Sequence, residues 1–291
     1  MELISNYMKD DTKRHMLNGL TEKVFGFNFE SWVTQGYFEG DYIPYSFVDD
    51  EKIVSNVSAN RMKFIQNGVE RYYIQIGTVM TDSNYRKQGL AAKLMERVIE
   101  DYEKECDGIY LFGDLSAAGF YRKMGFEIIN QSRYFIKEEF CRFEKGADAF
   151  RPITDMDDSV KKKYLDYVRN SALHSSFEQI NKYGLQMFYT AGLDSVLYCE
   201  DLDCFIVLEQ DETPVLQSVL SRKKVALADV LKRIRFEKDK CMLGFTPLDE
   251  DKAMCTSEEY DGADDYRLFY RGKKLEAIER EKLYFPDLSH A

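Results

Sequence analysis

Tyr85-Arg86-Lys87-Gln88-Gly89-Leu90-Ala91 sets two small residues, Gly89 and Ala91, beside two cations, Arg86 and Lys87. Residues of these types at this spacing suit anion chemistry. With little side chain at Gly89 and Ala91, the backbone N–H groups from Lys87 to Ala92 can approach phosphate oxygens closely. A helix that starts at this glycine adds the partial positive charge of its N-terminus, about 0.3–1 kcal/mol per exposed interaction, and several such interactions converge on one group. Arg86 and Lys87 can contribute charge-assisted hydrogen bonds. The turn points to a held pyrophosphate. Its plain alternative is a solvated turn that caps a helix.

Elements on either side must position this turn. Upstream, residues 52–65 and 71–81 read as two strands joined at Gln66-Asn67-Gly68, where Asn-Gly is a strong hairpin signal. The second strand is nearly continuous in apolar character from Tyr72 to Met80, as in a central strand buried on both faces. Downstream, Leu90, Ala91, Leu94, Met95, Val98, Ile99 and Tyr102 recur at helical spacing over about 89–106. Residues 109–113 read as a short buried strand, 117–124 as a helix ended by Gly125, and 126–129 and 133–137 as strands. Nearer the N-terminus, residues 10–25 predict a helix capped by Asp10 or Asp11 and ended by Gly26. Residues 27–45 are dense in aromatics, with a short helix near 29–35.

A length of 291 residues suggests two domains, with the best boundary at Glu144–Asp148, hence 1–145 and 146–291. The second half predicts helices near 157–171, 176–190 and 226–235, and strands near 195–199, 204–209, 214–220, 240–245 and 266–270. The acidic stretch 253–265 reads as a surface loop. A net charge of −11 argues against nucleic acid bound through a broad basic face. The six cysteines form no CxxC, and the three histidines are scattered, so no metal site is expected. Free thiols suit a reducing cytoplasm. No signal peptide or membrane-spanning run is apparent, so no membrane partner is expected.

Two separated motifs carry a resemblance to a known family. The first runs Val79-Met80-Thr81-Asp82-Ser83-Asn84-Tyr85-Arg86-Lys87-Gln88-Gly89-Leu90-Ala91. The second runs Asp114-Leu115-Ser116-Ala117-Ala118-Gly119-Phe120-Tyr121-Arg122-Lys123-Met124-Gly125-Phe126. In this order, with a helix and a strand between them, they resemble the GNAT N-acetyltransferase superfamily over roughly residues 1–140. The resemblance implies an α/β (α+β) fold whose mixed, mostly antiparallel sheet is splayed between central strands and flanked by helices. A smaller C-terminal α+β domain would follow, whose strand–strand–helix–strand order is faintly similar to a degenerate GNAT half. It implies acetyl-CoA as co-substrate, with its pyrophosphate at Arg86, Lys87, Gln88, Gly89, Leu90, Ala91 and Ala92. Pantetheine would lie along Val79, Met80 and Thr81, whose backbone would also polarise the thioester carbonyl. Phe120 and Asp114 would border the cofactor. Asp114 stands where the family often has Asn, and a helix cap is an equal reading for it. Tyr121 matches the tyrosine that protonates the departing thiolate.

The resemblance leaves the other half of the reaction open. An attacking amine must lose a proton, and the central strand offers Gln75 rather than a carboxylate. Tyr73, Ser58 or Glu30 can hold a water there, or His290 and the Ala291 carboxylate can fold back into the cleft. The acceptor wall is expected from Glu30, Trp32, Tyr37, Asn56, Ser58 and Tyr73. The expected acceptor is a primary amine of a small molecule or peptide, attacked directly in a ternary complex by a monomer or homodimer. The C-terminal half is expected to extend the acceptor cleft or form an interface, so its deletion should abolish or redirect acetylation. The competing reading is a catalytically silent acyl-CoA sensor of the same fold.

Overall fold

The computed structural model describes residues 1–262 and 266–291; part of the expected acidic loop, 263–265, lies outside the described residues. The strands, in chain order, are β1 (Glu2–Ser5), β2 (Tyr42–Asp49), β3 (Lys52–Gln66), β4 (Val69–Thr81), β5 (Gly108–Asp114), β6 (Glu127–Ile129), β7 (Gln131–Ile136), β8 (Arg151–Pro152), β9 (Phe177–Gln179), β10 (Val196–Cys199), β11 (Cys204–Glu209), β12 (Val215–Ser221), β13 (Cys241–Leu243), β14 (Cys255–Tyr260) and β15 (Tyr266–Arg271). The helices are α1 (Asp11–Phe25), α2 (Glu30–Thr34), α3 (Leu90–Tyr102), α4 (Ala118–Lys123), α5 (Asp158–Asn170), α6 (Tyr183–Thr190), α7 (Leu227–Leu231) and α8 (Ala277–Arg280).

Local chemistry explains where the first elements begin and end. The Asp10 carboxylate accepts from the Lys13 N–H to start α1, and Gly26 takes a left-handed φ of 77° to end it. Asn67 and Gly68 both hold positive φ, 46° and 80°, which matches the right-handed twist of the β3–β4 hairpin. Leu90, Leu94, Met95 and Val98 form the buried stripe of α3. Leu94, Met95 and Val98 pack with Ile74, Ile76, Ile109 and Leu111 in one core, each such side chain contributing about 1.5–3 kcal/mol by burial.

The first sheet has the order β1-β2-β3-β4-β5-β15-β6, with β9 also paired to β3. Its one parallel junction among the described residues, β4 beside β5, is short: Tyr73 faces Gly108, Ile74 faces Ile109 and Gln75 faces Tyr110. Past Gln75 the two strands part. The second sheet runs β14-β7-β13-β12-β11-β10-β8 and repeats the arrangement, with β12 parallel to β13 only at Val215–Met242 and Leu216–Leu243. The protein thus has the mixed, mostly antiparallel α/β architecture expected, with two splayed sheets.

The sheets exchange strands. β7, from the first half of the chain, lies between β13 and β14, and β15, from the second half, lies between β5 and β6. Two local expectations are corrected. The helix read over 176–190 is a strand, β9, followed by α6, because Phe177, Glu178 and Gln179 are drawn onto the free end of β3. Part of the acidic stretch is β14, paired along its length with β7 and turning Thr256–Glu259 outward to solvent. Among the described residues no helix is long and apolar enough to cross a membrane, and all six cysteines are free.

Candidate active site

The gap between β4 and β5 begins at a bulge. Ser58 pairs with Gly77 and Asn56 with Met80, so Thr78 and Val79 drop out of register opposite β3. Thr78 has a φ of 43°, a left-handed backbone that a β-branched residue holds at a cost of about 1–3 kcal/mol. A polar cluster keeps it there. Its Oγ1 lies 2.7 Å from the Tyr42 hydroxyl and 2.8 Å from the Ser58 hydroxyl, while Asn56 Nδ2 donates to its carbonyl at 3.0 Å. Asn56 and Ser58 are fully buried, and these bonds satisfy them. Both therefore act from beneath the strand, shaping the gap rather than lining it.

From the gap the chain runs into the glycine turn. Asp82 accepts from the Asn84 N–H and from Lys23 Nζ of α1, at 3.0 and 2.7 Å, which ties down the entry to the turn. Lys87 and Gly89 both adopt left-handed φ, 64° and 74°. Gly89 is the N-cap of α3 and has no side chain to satisfy the first helical N–H groups, and the first turn carries no acid. Those donors point to an anion site of the kind a pyrophosphate fills. Arg86, Lys87, Gln88 and Gly89 are exposed there, and Arg86 Nε donates to the Thr81 carbonyl at 3.3 Å. Leu90 and Met80 point into the core, so they can offer only backbone.

A cavity of about 560 Å³ follows the gap inward. One wall is Gly77, Thr78 and Val79; the facing wall is Leu111, Phe112 and Gly113, with Phe120 and Tyr121. Tyr121 is buried, with its ring centroid 4.9 Å from that of Phe269. Gly113 makes room for it, since a Cβ at Gly113 would lie 2.8 Å from the Tyr121 ring. Its hydroxyl has no protein hydrogen-bond partner among the described residues. Burial first, and the Asp114 carboxylate second, push the phenol up to about 12, so it carries its proton at neutral pH. Asp114 lines the cavity and caps the short helical turn by accepting from the Ser116 N–H at 2.6 Å.

The far end of the cavity is aromatic. Phe27, Phe29 and Trp32 meet Phe188 of α6, with ring centroids 5.3–6.2 Å apart. Leu185 and Tyr189 continue this wall from α6, so the second half of the chain contributes to the same cavity. The last two residues also reach it. His290 stacks on Phe112 at 3.9 Å, and the Tyr189 hydroxyl donates to the His290 carbonyl at 2.6 Å. A Cβ at Gly77 would lie 2.6 Å from the Ala291 main-chain oxygen. Burial pushes the His290 imidazole down to about 4, so it is neutral, and its Nε2 is buried without a partner.

Of the expected acceptor residues, Trp32 lines the cavity. Glu30 does not: Arg14 grips both its oxygens at 3.0 and 2.9 Å and holds its carboxyl below the usual range. Tyr73 is sealed in the core with its hydroxyl on Gln66 at 2.8 Å, and Tyr37 packs against Tyr183. Thr78, Tyr42 and Phe188 were not singled out by their sequence context. Asn56 and Ser58, expected on the acceptor wall, instead join Tyr42 in the polar cluster around Thr78, which no sequence signal marked.

Comparison with known proteins places this architecture. Residues 11–129 match the family model described as an acetyltransferase (GNAT) domain. The chain carries a GNAT acetyltransferase domain, and acyl-CoA-dependent acetyl transfer is the chemistry of that family. Among solved structures, a probable N-acyltransferase from Enterococcus faecalis V583 is similar at 18% identity and a TM-score of 0.55, covering 95% of this chain and 74% of that one. A GCN5-related N-acetyltransferase from Kribbella flavida is similar at 15% identity and 0.55, over 95% and 73%. Eis1 from Mycobacterium abscessus is similar at 13% identity and 0.55, over 92% and 73%. These are likenesses of fold that extend through both sheets. No curated protein sequence matches the chain.

Proposed function

We propose that the protein is an acetyl-CoA-dependent N-acetyltransferase that acetylates a primary amine by direct attack in a ternary complex. One observation carries the reading. A single cavity joins the splayed β4–β5 gap, the protonated Tyr121 and an aromatic wall at its far end. Acetyl-CoA, when bound, supplies a thioester carbonyl for the amine to attack and a thiol to leave.

The chain's own groups divide the remaining work. The α3 N-terminus and the Lys87–Ala92 backbone hold the pyrophosphate. Val79 lies at the bulge on the cavity wall, where its backbone N–H can meet the developing oxyanion; one such donor is typically worth about 2.7–4 kcal/mol. Tyr121 delivers its proton to the departing sulfur. The amine must shed a proton on the opposite side, where the neutral His290 imidazole on the cavity wall and the Ala291 main-chain oxygen beside Gly77 supply acceptors.

Calorimetric titration with acetyl-CoA, followed by an amine screen for CoA-thiol release, tests the reading. Binding with turnover on at least one amine is expected. Gly89→Leu should weaken acetyl-CoA binding, because its φ of 74° disfavours any side chain and the phosphate needs the close approach. Absence of acetyl-CoA binding to the intact chain would remove the proposal.

A further inference from the structure

We propose that the amine acceptor carries its amino group on an aromatic or similarly large apolar body, as an arylalkylamine does, rather than on a polyhydroxylated or polycationic one. The inference rests on the cavity being the acyl-transfer site and adds what the chamber is built to hold. Phe27, Phe29, Trp32 and Phe188 pack on one another in edge-on and tilted contacts, the arrangement aromatic groups prefer, and together present one aromatic wall to the cavity. The mouth continues the theme. Phe25, Tyr189 and Tyr266 border the cavity, yet are 47%, 47% and 56% exposed, which is costly apolar surface to leave in water unless a ligand covers it.

Charge points the same way. Among the described residues lining the cavity, the one side-chain carboxylate is Asp114, which sits beside Tyr121 at the thiol end and is occupied by the Ser116 N–H. An acceptor with several ammonium or hydroxyl groups would bury them in the chamber without partners, which is strongly unfavourable. A single amine reaching toward His290 and Gly77, with its body among the rings, leaves no such group unpaired. The acidic surface, at a net charge of −11, attracts amines in general and does not select among them.

The chain has a single tryptophan, Trp32, whose indole N–H is fixed on the Gly184 carbonyl at 2.7 Å. Its emission reports acceptor binding without any need for turnover. In the full chain saturated with CoA, 2-phenylethylamine should shift Trp32 emission at about ten- to hundred-fold lower concentration than ethylamine, with spermidine weaker still. With acetyl-CoA, kcat/KM should follow the same order. Phe188→Ala should erase the preference while acetyl-CoA affinity, measured separately, shows the variant folded. Should Phe188→Ala not fold, Phe25→Glu at the exposed mouth serves instead, and should move the preference toward spermidine. Equal responses to all three amines, or a wild-type preference for spermidine, would overturn the inference. Failure of the acyl-transfer reading looks different: Trp32 would still prefer phenylethylamine, but no amine would release CoA.

Discussion

Gly77 and Ala291 are 214 positions apart in sequence and share one point in space, where a methyl group on Gly77 would lie 2.6 Å from the Ala291 oxygen. Gly77 does not need unusual backbone freedom; it needs to be small. Gly77→Ala should therefore fold and bind acetyl-CoA, yet push residues 290 and 291 off the attacking side. A shift of about 1 Å at such a position can cost about 10²-fold in rate. Steady-state kinetics should show that loss in kcat, with the acetyl-CoA Kd changed little. Removing residues 290–291 altogether should reproduce it, and an unchanged kcat in both variants would take the proton acceptor away from this segment.

Tyr121 supplies the second test. Tyr121→Phe keeps the ring against Phe269 and removes only the proton. We expect kcat to fall about 10²-fold, within the usual span for general acids, with acetyl-CoA affinity preserved. Gly113→Ala reaches the same residue indirectly. Its new methyl, 2.8 Å from the ring, must move Tyr121, so a lowered kcat should come with about 1–3 kcal/mol of lost stability. Urea unfolding beside kinetics separates the two substitutions.

Thr78 joins strain to hydrogen bonding. Thr78→Val retains the β-branch and the unfavourable φ but deprives Tyr42 and Ser58 of their shared oxygen. Leaving such groups buried and unpaired costs about 1–3 kcal/mol. Thr78→Gly loses the same bonds and relieves the backbone, so it should be the less destabilised of the two. Chemical denaturation of both variants would show that order, and the reverse order would mean that strain at Thr78 is negligible.

Much of the site was legible in the chain because it is local. The Gly89 turn, the α3 stripe and the Phe120-Tyr121 helix each depend on neighbours within a few residues, and periodicity and cap chemistry report such neighbours directly. What stayed hidden is non-local. Nothing in Tyr266-Arg267-Leu268-Phe269-Tyr270-Arg271 says that this strand belongs beside β5, 152 residues earlier, because any amphipathic strand of that length fits many edges. The split at 145/146 follows composition, whereas sheet membership follows the exchange of β7 and β15. Thr78 gives no signal of its positive φ, since threonine within a β-rich run favours the opposite conformation. The Phe188 contact was hidden for a related reason: its helix begins only after β9 has been diverted onto β3.

Two buried histidines make stability depend on pH with a definite sign. Burial pushes His174 and His290 down to about 4, below the ordinary value of about 6.5 in the unfolded chain. Between those values the unfolded state binds more protons, so the native state loses stability as pH falls from about 6.5 toward 4. Asp287 acts oppositely: its carboxyl is pushed up to about 6 by burial, so its contribution is present at low pH and is lost as pH rises through about 6. Urea unfolding at pH 7 and pH 5 should show the native state weaker at pH 5. His174→Gln should flatten the difference and Asp287→Asn should enlarge it.

The second sheet repeats the splay of the first but not its vacancy, which fixes how many acetyl-CoA molecules the chain can hold. β12 and β13 part after Leu216–Leu243, as β4 and β5 part after Gln75–Tyr110. In the second gap, however, the Gln217 side chain fills the place of a side chain at Gly244, where a Cβ would lie 2.1 Å from its Oε1. His174, Glu178 and Pro286 close the rest, leaving a cavity of about 40 Å³, enough for a water or two and far below a pantetheine arm. Nor does a long helix follow β12: α7 has five residues, too few for an N-terminus like that of α3 to develop. Calorimetry should therefore return one acetyl-CoA per chain, and Gly89→Leu alone should weaken all of the binding. A stoichiometry of two, or a second class of site surviving that substitution, would show that the second gap opens in solution.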